Sequence, residues 1–191
     1  MNAVTTPNVV FGETQANTSG PISGDGFELV QQIVTLSDGT FLVAYRVGTS
    51  ILFQQFDAFG TPISVEGSFA TPGYLADGDF SIVALDNGDV VLGYEAEGIG
   101  VTVVQSFSIS AGVATETPDI DQIFATATDP VNGNGTPIEV SLSGSSPSTL
   151  VLHRLTIEPD GTKNLTMFTG LDGANPQQTD IATPFEAARS S

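Results

Sequence analysis

Histidine occurs once in the chain, at position 153, so any Ser/His/Asp relay would have to pass through it. His153 lies in the apolar run Thr149-Leu150-Val151-Leu152-His153-Arg154, which reads as a strand. The expected role there is a packed repeat position, not a general base. Cysteine is absent, which removes thiolate nucleophiles, disulfides and metal–thiolate sites together. No GxSxG elbow, HExxH helix, Gly-Lys-Ser/Thr phosphate loop or GxGxxG fingerprint occurs. Carboxylates are the remaining option for catalysis, as in glycoside hydrolysis, with Asp77, Asp79, Glu95 and Glu97 as the nearest candidates. With 22 acidic residues, such neighbours arise without any catalytic purpose, so the expectation is a protein that is not an enzyme.

Oxygen-rich turns suit a different chemistry. Asp77-Gly78-Asp79 and Asp86-Asn87-Gly88-Asp89 set carboxylates and backbone carbonyls close together, as a Ca²⁺ cage requires. Asp77, Asp79, Asp86 and Asp89 are therefore the candidate metal ligands, and Asp119 and Asp121 form a further i,i+2 pair. Neither an EF-hand pattern nor a run of Gly-Gly-x-Gly-x-Asp nonapeptides accompanies them. Asp-Gly is also an ordinary turn dipeptide, so no cofactor is required and calcium is the one considered. Tyr45 and Tyr94 could stack on sugars, which keeps glycans among the partners to consider. Their matched placement on an apolar strand face points to the core instead.

The charge is lopsided, with four Lys plus Arg against 22 Asp plus Glu and a formal net of −18. Such a chain repels phosphate backbones and anionic lipid surfaces, so neither nucleic acid nor a membrane is an expected partner. Hydrophobic residues at 40% nevertheless exceed what a disordered acidic tail carries. Charged residues at 14%, against about 25% in an average protein, leave a surface of Ser, Thr, Asn and Gln. No apolar run reaches the ~20 residues of a membrane helix. The first residues show neither a basic n-region nor an apolar h-region. Export would then use a route without a cleaved N-terminal signal, or a larger particle.

The elements that carry these residues repeat. Residues 35–46 read Thr-Leu-Ser-Asp-Gly-Thr-Phe-Leu-Val-Ala-Tyr-Arg, and 84–95 read Ala-Leu-Asp-Asn-Gly-Asp-Val-Val-Leu-Gly-Tyr-Glu. They align without a gap at an offset of 49 (85 − 36, 88 − 39 and 94 − 45). In each copy an alternating apolar stretch meets an Asp-Gly or Asn-Gly turn and a second strand follows, the strongest short hairpin signal. Phe41, Val43 and Tyr45 share one face, and Val90, Leu92 and Tyr94 the equivalent one. Leu42 and Ala44, or Val91 and Gly93, lie opposite. Apolar residues on both faces predict strands inside a layered structure.

Third strands are predicted over 51–56 and 100–109, which gives three or four antiparallel strands in each unit of about 45 to 50 residues. A third copy over about 138–173 places His153-Arg154 where the first has Tyr45-Arg46. No segment shows sustained helical periodicity. The predicted fold class is all-β, of repeated antiparallel hairpin or blade units, a partial or small propeller, with a β-sandwich as the alternative. The predicted organisation is an N-terminal arm over 1–26 with one short strand, a repeat domain over 27–173 (units about 27–73, 74–118 and 138–173), and a polar tail over 174–191. Three blades are too few for an ordinary closed propeller. Val9, Val10 and Phe11 in the arm are the candidate assembly residues, able to lend a strand to a neighbour.

The wording Gln31-Gln32-Ile33-Val34-Thr35-Leu36-Ser37-Asp38-Gly39-Thr40-Phe41-Leu42-Val43-Ala44-Tyr45, followed by Phe53-Gln54-Gln55-Phe56-Asp57-Ala58-Phe59-Gly60-Thr61-Pro62-Ile63, resembles a bacterial repeat. It is similar to the propeller-like repeats of large RTX-type, calcium-binding, type I secreted surface proteins, over about residues 27–110. The chain departs from that pattern at Tyr45 and Tyr94, where Trp is usual, and at Gln55, where Arg is common. The resemblance implies secretion without a cleaved signal and a structural or adhesive role at the cell surface or outside the cell. Its partners would be copies of itself or other surface proteins. A carbohydrate- or calcium-binding module, and a structural or decoration protein of a phage-like particle in a virion, are the alternatives.

Overall fold

Hairpins built around a left-handed glycine generate the architecture. The computed structural model describes residues 31–70, 76–96, 101–125, 128–129, 133–134, 136–157, 162–173 and 175–181. The first sheet is a meander of β1 (Gln31–Thr35), β2 (Phe41–Val47), β3 (Ser50–Phe56) and β4 (Gly67–Ser68) in that order. Between β1 and β2 the Leu36 amide donates to Thr40 O at 2.8 Å and the Gly39 amide to Leu36 O at 3.0 Å. Gly39 takes φ +84°, which L side chains adopt only at a cost.

The second sheet repeats the plan with β5 (Ala76–Ala84), β6 (Val90–Ala96), β7 (Val101–Ser110) and β8 (Val113–Ala125). Its first turn has the same bonds, Leu85 amide to Asp89 O at 2.8 Å and Gly88 amide to Leu85 O at 3.0 Å, with Gly88 at φ +94°. A short ribbon, β9 (Thr128–Asp129) and β10 (Gly133–Asn134), precedes the third sheet. That sheet comprises β11 (Thr136–Ser143), β12 (Val151–Ile157), β13 (Lys163–Thr169) and β14 (Gln177–Ile181). One 3₁₀ turn over Pro147–Thr149 joins β11 to β12. All strand pairs in the three four-stranded sheets are antiparallel, and none of these sheets closes on itself. Among the described residues no helix is long and apolar enough to cross a membrane.

The sheets stack face to face in chain order. Leu42, Ala44, Ile51 and Phe53 of the first meet Phe80, Ile82, Val90, Leu92, Tyr94 and Phe107 of the second in one core. Val91, Val104 and Ile120 on the far face of the second meet Val140, Leu142, Leu152 and Phe168 of the third in another. The second sheet is thus covered on both sides, and β6 is buried along its whole length. This explains why its strand reads as continuous apolar sequence rather than alternation.

Cross-strand register fixes the repeat more finely than the sequence alignment. Ile33 faces Val43 and Gln31 faces Tyr45; Ile82 faces Leu92 and Phe80 faces Tyr94; Leu142 faces Leu152 and Val140 faces Arg154. The offset from first to second sheet is 49 (82 − 33, 92 − 43), and from second to third it is 60 (142 − 82, 152 − 92). Arg154, not His153, therefore stands at the tyrosine position (154 − 94 = 60). Because side chains alternate, the alignment that put His153 there had turned the strand over.

Two boundaries differ from the sequence reading. β14 falls in the segment read as a polar tail, and β8 runs to Ala125, past the expected end of the second unit. β8 stays paired through Pro118 because a bulge lets 118–120 bypass β7: Gln105 pairs with Asp121 and Ser106 with Thr117. The buried Ser106 hydroxyl fills the gap, accepting from the Ile120 amide at 3.0 Å and the Thr117 hydroxyl at 2.7 Å.

Candidate functional site

The most organised polar geometry lies where consecutive sheets are joined. Gln32 on β1 turns its amide toward β5, donating from Nε2 to Phe80 O at 2.7 Å and accepting from the Ile82 amide at 3.0 Å. One side chain thereby imitates a neighbouring strand. Ser81, at the same repeat position (81 − 32 = 49), does the equivalent one sheet on, its Oγ accepting from the Leu142 amide at 2.9 Å. The first strands of the three sheets are pegged together by a polar side chain at one repeat position. Sequence reading missed both residues, although a polar residue recurring at the fixed offset within an apolar strand was a usable signal.

The hairpin turns meet at one end of the stack. The Asp86 amide donates to Ser145 O at 2.7 Å and its carboxylate accepts from the Ser145 hydroxyl at 3.1 Å, tying the second sheet to the third. Asp89 accepts from the Asn87 side chain at 3.1 Å. Asp38 accepts from the Thr40 hydroxyl at 2.6 Å and the Thr40 amide at 2.9 Å, which hold its carboxyl below its ordinary range. Asp86 and Asp89, two of the predicted ligands, thus share a turn whose carboxylates are engaged by neighbouring donors. Asp77 and Asp79 sit in β5 where the pairing with β6 slips between Ala76 and Phe80, and their side chains lie outside the described residues. Among the described residues no group of three or more His, Cys, Asp or Glu is placed to hold a metal ion.

The remaining candidates are scattered. Val9, Val10 and Phe11 lie outside the described residues, as does Glu97. Glu95 is buried on β6. Asp119 is in the β8 bulge and Asp121 just beyond it, both exposed. His153 is half-buried on the outer face of the third sheet, opposite Ser141 and Met167. Tyr94 is fully buried and donates to Gln105 Oε1 at 3.3 Å. Tyr45 is buried on the outer face of the first sheet and donates to Glu66. Burial, then the bond to Glu66 and its charge, push the Tyr45 hydroxyl well above the usual tyrosine range. Beside it an open groove of about 470 Å³ runs between β4 and the β7–β8 turn, lined by Leu52, Val65, Glu66, Gly112, Val113 and Ala114.

No protein-family model matches the chain, and neither curated proteins nor solved structures return a match.

Proposed function

We propose that this chain is a non-enzymatic structural or adhesive module working outside the cell or at its surface, a building block of a larger assembly. The observation that carries this reading is the economy of its polar side chains. Gln32, Ser81, Asp86 and Ser106 are spent on joining sheets or closing a bulge, not on converging upon a cleft. A stack of this kind transmits position: each sheet fixes the next, as in repeat proteins whose stability comes from neighbour contacts. The net charge of −18 keeps such a β-rich surface dispersed until a specific face is matched. The likeness of residues 27–110 to the repeats of RTX-type surface proteins supports the same setting.

Labelling of intact, unpermeabilised producing cells with an antibody to the folded chain tests the reading. Surface signal that is lost on protease treatment of whole cells is expected. Protein confined to the cytosolic fraction refutes it.

A further inference from the structure

We propose that β14 recognises a second copy of this chain, the two β14 strands pairing antiparallel about a two-fold axis at Thr179 and joining two third sheets into one sheet of eight strands. The inference rests on the reading of the chain as an assembly module and names the edge through which it assembles.

Opposite the pegged first strands, the three sheets end on β4, β8 and β14, and these edges are built differently. β4 is two residues long, and the β7–β8 turn packs on it so closely that Gly67 has no room for a Cβ beside Gly112 O. β8 is long, but its outer edge is interrupted. Pro118 has no N–H to offer, the bulge breaks the line of pairing, and Glu116, Asp119 and Asp121 are exposed along it. Very short strands, bulges, prolines and charges are the devices that keep one sheet edge from meeting another.

β14 is different. It contains no proline, pairs with β13 over all five residues without a slip, and among the described residues pairs on that side alone. All five of its side chains are exposed. Its one acid, Asp180, is turned onto its own sheet, accepting from the Thr166 hydroxyl at 3.1 Å and from Gln178 Nε2 at 3.0 Å. Such an edge presents backbone N–H and C=O groups to an extended strand.

The residues of the edge complement themselves. With Thr179 on the axis every residue of β14 faces another of β14: Gln177 faces Ile181, Gln178 faces Asp180, and Thr179 faces Thr179. Moving the axis one residue either way sets Asp180 against Pro176, which lacks an N–H, or against Asp180 itself. The Gln178 amide and the Asp180 carboxylate each keep bonding capacity beyond the bond they share within the strand, so they can also bond across the axis. A symmetric contact of this kind uses up the edge, and assembly stops at two. Five paired residues a side bury much less than a standard interface, so the pair is reversible.

The chain has no cysteine, so one introduced thiol reports the register. Thr179→Cys faces itself across the axis at the roughly 4.5–5.5 Å Cα separation of opposed residues, within disulfide range. In a glutathione buffer it is expected to cross-link two chains at least about tenfold faster than Thr115→Cys, at an exposed position on β8. Gln177→Cys cross-links slowly alone and readily when mixed with Ile181→Cys. In about 0.15 M salt, which screens the distant charges, sedimentation velocity of the wild type shows a mass that rises with concentration toward twice the monomer's. Gln178→Asp sets like charges against each other at both ends of the contact and weakens association about tenfold with unchanged circular dichroism. Adding Asp180→Gln to it restores association, because each aspartate again faces a glutamine. A wild type that stays monomeric, masses beyond twice the monomer's, Thr179→Cys no faster than Thr115→Cys, or wild-type-like association of Gln178→Asp overturns the proposal. Monomers from cells whose surface labelling is intact remove the pairing and leave the module; pairs formed by a chain confined to the cytosol remove the module and leave the pairing.

Discussion

Replacing Gln32 with alanine tests whether the sheets are held by polar pegs as well as by apolar contact. The substitution deletes the 2.7 Å bond to Phe80 O and the 3.0 Å bond from the Ile82 amide. Each is worth about 1 kcal/mol net if water replaces the side chain, and about 1–3 kcal/mol if the backbone group is left dry. Ile82 is buried and the bonds are partly so, which places the gross loss near 3–4 kcal/mol. Freeing the glutamine from a fixed rotamer returns about 1.5 kcal/mol, leaving a net destabilisation of about 2 kcal/mol. Urea unfolding gives the total, as a lower midpoint at constant slope. Native-state hydrogen exchange gives the location, because the Ile82 amide must lose more protection than amides in the third sheet.

The charged isostere sharpens the test. Gln32→Glu keeps the shape, but its carboxylate has no donor for Phe80 O and places charge against that carbonyl. It should cost more than alanine at neutral pH. The carboxyl's folded-state pKa is then raised above its unfolded value near 4.3, so the folded state binds the extra proton and stability recovers as pH falls through the folded value. A loss below about 0.5 kcal/mol for alanine, or unchanged protection at Ile82, would falsify the peg.

Three further outcomes follow from particular contacts. A Cβ at Gly93 would lie 3.1 Å from Leu142 Cδ1 and 3.2 Å from Val140 Cγ1, so Gly93→Val should push the second and third sheets apart and cost about 1–3 kcal/mol by calorimetry. Ala111 holds φ +49° in the two-residue β7–β8 turn, so Ala111→Gly should stabilise by about 0.5–1 kcal/mol, read as a raised urea midpoint. Tyr45, its hydroxyl raised by burial and Glu66, stays protonated in the folded chain after an unfolded tyrosine has ionised. That contribution is complete below pH about 10 and is lost above it, so an alkaline stability scan should fall more steeply for the wild type than for Tyr45→Phe.

The parts of this fold legible in sequence are those whose signal is local. Leu36-Ser37-Asp38-Gly39 and Leu85-Asp86-Asn87-Gly88 announce their turns because the left-handed position admits glycine and little else, and the 49-residue offset follows. The third unit was legible only as strands. Its connection runs through Pro147–Thr149 without a comparable turn, and Leu150-Val151-Leu152 is apolar on both parities, so nothing local fixed the register. β14 went unread because Gln177-Gln178-Thr179-Asp180-Ile181 is wholly exposed and has one apolar residue, leaving no alternation. Of the candidate site residues, Asp86 was found in a working contact, with Ser145, but the partner lies 59 positions away and only the stacking brings it near.

The tyrosine position shows what repeat identity means in such a stack. Tyr45, Tyr94 and Arg154 occupy one place in three sheets, and their neighbours differ. What they share is an apolar body that packs in the sheet and a polar tip that must find a partner once buried. Tyr45 reaches Glu66, Tyr94 reaches Gln105, and the Arg154 guanidinium donates to Phe124 O at 3.1 Å and lies 5.0 Å from the centroid of the Phe168 ring. The arginine's bond crosses to the second sheet, while the two tyrosines bond within their own units. An alignment that seeks another aromatic picks His153 and slips by one. What this position requires is reach and a hydrogen-bonding end, so the three sheets share a role there rather than a residue type, and the pairing register is the observation that places the three side chains at one position.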